Sequence, residues 1–122
     1  MIRTTYNNRK KGDVSMQVQT IAVWDIEQKL QEEDILLIDL REKEEYDDEH
    51  IKGAISLPYD EIVKEVETLD KQKKFILYCD RGNASLMVGM KLAAKGYEVY
   101  TVLGGYLAYK RMKQKENKFR RK

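Results

Sequence analysis

Two short apolar runs, Ile35-Leu36-Leu37-Ile38 and Phe75-Ile76-Leu77-Tyr78, most narrow the folds open to this chain. A strand with one face in water alternates apolar and polar side chains. A strand that is apolar throughout needs cover on both faces, as in a parallel sheet between two layers of helices. The intervening segments carry helical spacing. Val23 to Gln31 sets Val23, Ile26 and Leu30 on one face, and Tyr59 to Leu69 does the same with Ile62, Val63, Val66 and Leu69. Ser85 to Lys95 reads as a helix with Ser85 as N-cap. Leu86, Met87, Met90, Leu92 and Ala93 supply its apolar faces, and Gly96 ends it. Shorter strands are expected at residues 17–22 (an edge), 54–57 (closed by Pro58) and 97–103, with a last helix opening at Tyr106. Trp24 reads as a core residue at the start of the first helix. Strands alternating with helices specify an α/β domain whose mainly parallel sheet has helices on both faces.

The chain has 122 residues, enough for one compact domain. No stretch is long and apolar enough to cross a bilayer, so no membrane contact is expected. Residues 1–15 lack apolar periodicity and the apolar core of a secretory signal; they read as a flexible N-terminal segment. A single cysteine forms no internal disulfide, and no cysteine–histidine cluster suggests a metal site. A cytoplasmic location follows as the expectation. Charge is unevenly spread. Residues 1–16 hold four basic residues and one acid, and residues 110–122 hold eight and one. Against an overall +2, the stretch between them is therefore −8. Basic ends suit a nucleic-acid partner. The simpler reading is a frayed start and a solvated last helix whose cations complement its dipole, so nucleic-acid contact is the lesser expectation.

The lone cysteine, Cys79, ends the second apolar run, and Asp80-Arg81-Gly82-Asn83-Ala84 leads from it to Ser85. A loop that enters a helix aims backbone N–H groups and the positive dipole end at whatever sits there, which stabilises a thiolate. Gly82 permits positive φ, Asn83 tolerates it, and the resulting nest suits a thiolate, a persulfide or an oxyanion. Arg81 brings a fixed positive charge to meet an anionic donor, while Asp80 is expected to face solvent. A lone cysteine is often only a small buried hydrophobe; the strand, loop and helix start favour the reactive reading. Ligands of such sheets bind at the carboxyl ends of strands. Asp39, Cys79 and Gly104 each follow a strand, so three loops are expected to meet at one pocket.

Four segments stand in order between about Gln17 and Tyr109: Ile38-Asp39-Leu40-Arg41, then Glu45 with His50-Ile51-Lys52-Gly53-Ala54-Ile55-Ser56-Leu57-Pro58, then Phe75 to Ser85, then Leu103-Gly104-Gly105-Tyr106. Together they resemble the rhodanese-like domain family of sulfurtransferases, matching in turn its Asp-x-Arg strand end, its His-x-x-Gly-Ala segment, its active-site loop and its Gly-Gly signature. The resemblance implies one rhodanese-like domain over residues 16–110, with a five-stranded parallel sheet flanked by helices, and a basic helix end or tail at 111–122. It implies that Cys79 accepts a sulfane sulfur from thiosulfate or a persulfide, holds it as a persulfide, and passes it to a thiol, cyanide or protein acceptor, with no cofactor. Asp80, Arg81, Gly82, Asn83, Ala84 and Ser85 would bind the substrate. Asp39, Arg41, His50, Gly104 and Gly105 would support the site, His50 by hydrogen-bonding near the Asp39–Arg41 corner. The six-residue loop matches the sulfurtransferases and is one residue shorter than in related phosphatases. It differs from the family pattern at Asp80 and Ala84, where many members carry arginine, which weakens thiosulfate as the donor. A persulfide relay or regulatory binding module with little turnover is the alternative.

Overall fold

The computed structural model describes residues 17–120. The expected N-terminal segment at 1–15 lies outside the described residues. Five strands form one sheet: β1 (Gln19–Ile21), β2 (Ile35–Asp39), β3 (Ala54–Ser56), β4 (Lys74–Tyr78) and β5 (Glu98–Val102). Their order across the sheet is β1-β5-β4-β2-β3, and every pairing is parallel. The helices are α1 (Ile26–Lys29), α2 (Lys43–Asp48), α3 (Tyr59–Glu65), α4 (Asn83–Ala94) and α5 (Gly105–Arg120). Short 3₁₀ turns at Val23–Asp25 and Val66–Thr68 adjoin α1 and α3.

The apolar strands divide their side chains between two cores because successive residues point to opposite faces. Leu37, Ile76, Tyr78, Tyr100 and Val102 face one core, completed by Ile26 of α1 and by Tyr106, Tyr109 and Met112 of α5. Ile38, Phe75, Leu77 and Val99 face the other, completed by Ile62 of α3 and by Val88 and Leu92 of α4. Helices therefore cover both faces, as the unbroken apolar runs require.

Three local readings are corrected. The segment expected to be one helix over Val23–Gln31 is a 3₁₀ turn followed by the four-residue α1, although Val23 and Ile26 are buried on its apolar face. Trp24 is 74% exposed, because its neighbours Val23 and Ile26 already fill the core side of that turn. On α4 only Val88, Leu92 and Ala93 reach the core. Leu86, Met87 and Met90 lie on the outer face, since the sheet covers a single side of the helix. Gly89 lets that side sit close: a Cβ there would lie 3.1 Å from Thr101 and 3.2 Å from Val18. The stop signal at Gly96 has a clear basis. With φ at +97°, Gly96 donates to the Ala93 carbonyl and Tyr97 donates to the Leu92 carbonyl, a Schellman closure.

Ile76 lies fully buried in the central strand. Ile76→Ala is expected to cost about 2–5 kcal/mol in urea unfolding, whereas Met87→Ala on the outer face of α4 stays within about 0.5 kcal/mol.

Candidate active site

The register β2–β4 places Asp39 beside Tyr78, one residue before Cys79. Asp39 is wholly buried, and such a carboxylate needs several partners. Its partners are in place. Arg41 Nη2 donates to Oδ2 at 2.8 Å, Arg41 Nε donates to Oδ1 at 3.1 Å, and the Arg41 backbone N–H donates to Oδ1 at 2.9 Å. The Tyr78 hydroxyl donates to Oδ2 at 2.7 Å and itself accepts from the Ile51 N–H at 3.0 Å. Arg41 Nη2 also donates to the Glu49 carbonyl at 2.6 Å, and its guanidinium lies 4.0 Å above the Tyr106 ring. Burial works against the Arg41 charge, but hydrogen bonding and attraction from Asp39 outweigh it and hold the guanidinium above its ordinary range. Burial, then the bond to Asp39, pushes the Tyr78 phenol well up. The strand before Cys79, the loop after β2 and the segment at 49–51 are thus tied together.

Cys79 is 8% exposed and sits at the head of α4. Its Sγ accepts from the Gly82 N–H at 3.1 Å and from the Ser85 N–H at 3.4 Å, and Ser85 Oγ lies 3.7 Å away. The loop curls in this way because Gly82 takes φ of +109°. Two backbone donors and a helix N-terminus directed at one sulfur favour negative charge on it. The N-cap differs from expectation. Helix α4 begins at Asn83 with Gly82 as N-cap, so Ser85 lies in the first turn. There its hydroxyl donates to the Gly82 carbonyl at 3.1 Å, bracing the loop from within.

The Gly104-Gly105 turn brings the start of α5 against the loop. Tyr106 N–H donates to the Cys79 carbonyl at 2.8 Å, and Leu107 N–H donates to the Asp80 carbonyl at 3.0 Å. A Cβ on Gly105 would lie 2.5 Å from the Cys79 carbonyl oxygen, so no larger residue permits this approach. The three expected loops do meet. One pocket is lined by Arg41 after β2, by Cys79, Asp80, Arg81, Asn83 and Ala84, and by Tyr106, Leu107 and Lys110 of α5. Glu45, Asp48 and Glu49 form its remaining wall. Asp80 is exposed as expected but also borders this pocket. Gly82 and Ser85 act behind the wall, through their bonds to the sulfur.

His50 is placed elsewhere. Its ring is exposed, stacks on Tyr46 at 3.9 Å, and Nδ1 donates to the Tyr46 carbonyl at 2.8 Å. The corner beside Asp39 is filled instead by its neighbours, the Glu49 carbonyl and the Ile51 N–H. Sequence reading also missed Tyr78, Tyr106 and the acidic wall. The available signal for Tyr78 was a phenol ending an otherwise hydrocarbon strand.

Comparison with known proteins agrees with this geometry. The profile of the Rhodanese-like domain family matches residues 23–112. Thiosulfate sulfurtransferase GlpE of Coxiella burnetii is 32% identical over 95 residues, covering 77% of this chain and 86% of its own. The crystal structure of reduced Bacillus anthracis CoADR-RHD superposes with a TM-score of 0.73 at 30% identity, covering 80% of this chain and 17% of that one. A rhodanese-related protein from Thermoplasma volcanium superposes at 0.69 and 23% identity, covering 77% of this chain and 92% of that one, and shares the fold.

Burial, reinforced by a 2.8 Å hydrogen bond to Glu49, pushes the Tyr106 phenol up to about 12. The folded value lies above the ordinary one, so the stabilisation is complete below about pH 10 and disappears as pH rises through about 12. Tyr106→Phe is expected to lose less stability than the parent between those limits. Superimposable urea midpoints for the two proteins across that range would contradict the half-buried, hydrogen-bonded phenol.

Proposed function

This chain belongs to the rhodanese-like domain family, and on that premise we propose that it is a sulfurtransferase working through a persulfide on Cys79. The observation that carries the reading is the sulfur itself, recessed at the head of α4 and accepting two backbone N–H groups. The Cys79 thiolate attacks the outer sulfur of a sulfane donor. The donor's S–S bond breaks, and sulfite or a thiolate leaves with the bonding pair. A persulfide anion remains on Cys79, within reach of the same nest of amides. An acceptor thiolate or cyanide then attacks the terminal sulfur, and Cys79 Sγ departs as the thiolate. The sulfur atoms carry the whole reaction, so no cofactor is required.

A low-molecular-weight or protein persulfide fits the pocket better than thiosulfate. Three cations, Arg41, Arg81 and Lys110, face four carboxylates, Glu45, Asp48, Glu49 and Asp80, so a dianion meets no net positive field. Much of the Arg41 fork is already engaged by Asp39 and the Glu49 carbonyl. No helix among the described residues is long and apolar enough to cross a membrane. A lone thiol that must stay reactive suits the reducing cytoplasm. A second reading, a relay module that holds sulfur and turns over slowly, is favoured by Asp80 and Ala84 bordering the pocket.

Intact-mass analysis after incubation with glutathione persulfide is expected to show one added sulfur atom, absent in Cys79→Ser. Asp80→Asn removes a carboxylate from the pocket and is expected to raise kcat/KM for thiosulfate roughly tenfold at low salt. Stoichiometric loading without turnover to cyanide or thiols selects the relay. No added sulfur from thiosulfate, glutathione persulfide or a cysteine desulfurase rejects both.

A further inference from the structure

Helix α5 begins at the catalytic loop and runs on through residue 120 without a break at 110, where the compact domain was expected to end. Its inner side packs on the sheet through Tyr106, Ala108, Tyr109 and Met112. An exposed side of the helix carries Arg111, Lys115 and Lys118 at spacings of four and three, which sets them in one row. The row spans roughly 10 Å along the axis. With Gln114 and Asn117 these cations line one surface depression. Among the described residues, none of the three forms an ion pair; the one pair within α5 joins Lys113 and Glu116. Leu107, one turn before Arg111, and Lys110 belong to the wall of the Cys79 pocket. The row therefore leads directly out of the candidate active site. Its far end carries Phe119, one turn beyond Lys115 and 78% exposed.

We propose that this face of α5 is a docking surface for single-stranded RNA, holding the backbone phosphates on Arg111, Lys115 and Lys118. An uninterrupted row of cations is complementary to a line of phosphates. Phe119 supplies an exposed ring on which an unpaired base can stack, a contact that a duplex withholds. The Gln114 and Asn117 amides provide donors and acceptors for a ribose 2′-hydroxyl, which favours RNA over DNA. An anionic membrane is a poorer match, because among the described residues Phe119 is the only large apolar side chain exposed along α5 and a surface-bound helix needs a broad apolar face. Glu45, Asp48 and Glu49 wall the Cys79 pocket, which the first turns of α5 also line, and would repel a strand laid there, directing it along the cationic row. This surface is independent of the sulfur chemistry, and Cys79→Ser is expected to bind RNA like the parent.

The test is fluorescence anisotropy of a labelled, unstructured 20-nucleotide RNA with the full chain at several salt concentrations. Arg111→Ala/Lys115→Ala/Lys118→Ala is expected to weaken binding at least tenfold and to reduce the slope of log K against log salt by about 2. Phe119→Ala is expected to weaken binding several-fold with the salt slope unchanged. A control removing three exposed cations elsewhere, Lys52→Ala/Lys64→Ala/Lys91→Ala, keeps the affinity within twofold. Circular dichroism melts of the variants match the parent, because every substituted side chain is solvent-facing. Unchanged RNA affinity in the α5 triple variant overturns the proposal. An equal loss in the control triple also overturns it, since net charge and not this row would then govern binding. Equal or tighter binding of polyglutamate, of phosphatidylserine vesicles or of the matched DNA strand would likewise overturn it.

Discussion

The carboxylate of Asp39 is the fixed point around which the site is built. It lies at the end of β2 with no exposure to solvent, and it is satisfied only if Arg41 and Tyr78 both reach it. Each partner then carries a second segment. Arg41 holds the Glu49 carbonyl and lies against Tyr106, and the Tyr78 hydroxyl holds the Ile51 N–H. The net stability from such a buried pair is small, because desolvation offsets attraction. Removing one partner is different, costing about 3–5 kcal/mol, because a buried charge is left uncompensated. The network thus fixes where Tyr78 ends, and so where Cys79 begins.

From that position the backbone does most of the work on the sulfur. Positive φ at Gly82 turns two amides toward Sγ, and the absence of a side chain at Gly105 allows the N–H groups of Tyr106 and Leu107 to satisfy the carbonyls of Cys79 and Asp80. The loop is held from two sides by helix N-termini, α4 at its end and α5 across its carbonyls. Neither device depends on which side chains occupy Asp80 or Ala84. Side chains at these two pocket-lining positions can therefore change while the sulfur geometry and its nest of amides remain.

The parts of this arrangement that were legible in the sequence are those with a local cause. Uninterrupted apolar runs require two covered faces, and the strands at Ile35–Asp39 and Lys74–Tyr78 have them. Glycines at 82, 96, 104 and 105 all take positive φ. The remainder depends on which side of an element meets another. Leu86, Met87 and Met90 share a helix with Val88 and Leu92, and residue type alone does not say which face the sheet covers. Trp24 lost its core position to smaller neighbours in a turn too short to bury it. Ser85 is a favourable N-cap residue, yet the helix starts three residues earlier, with Gly82 in the left-handed conformation as its N-cap. His50 attracted a structural role as the lone histidine, but a backbone carbonyl and an amide on either side of it met the need at the Asp39 corner. The Tyr78 hydroxyl was hidden by its strand, since nothing in an apolar run states that a buried acid lies across the register.

The charge pattern at the pocket follows from the same network. Arg41 is the cation nearest to the buried centre, but Asp39 and the Glu49 carbonyl already take much of its hydrogen-bonding capacity. Arg81 and Lys110 remain as the outer cations, one on the loop and one on α5. Both are exposed, and exposed charges are screened by salt over about 8–10 Å at physiological ionic strength. Deep in the pocket, charge stabilisation therefore rests on fixed backbone dipoles, which salt screens little. At the rim it rests on mobile cations opposed by Glu45, Asp48, Glu49 and Asp80. A small dianion must cross that mixed rim before it reaches the nest. Under the proposed sulfur transfer, a persulfide carried by a larger molecule would present only its terminal sulfur to the nest and leave its own charges outside. The same division runs along α5: its first turn braces the Cys79 loop through N–H groups, and its outer turns carry exposed cations.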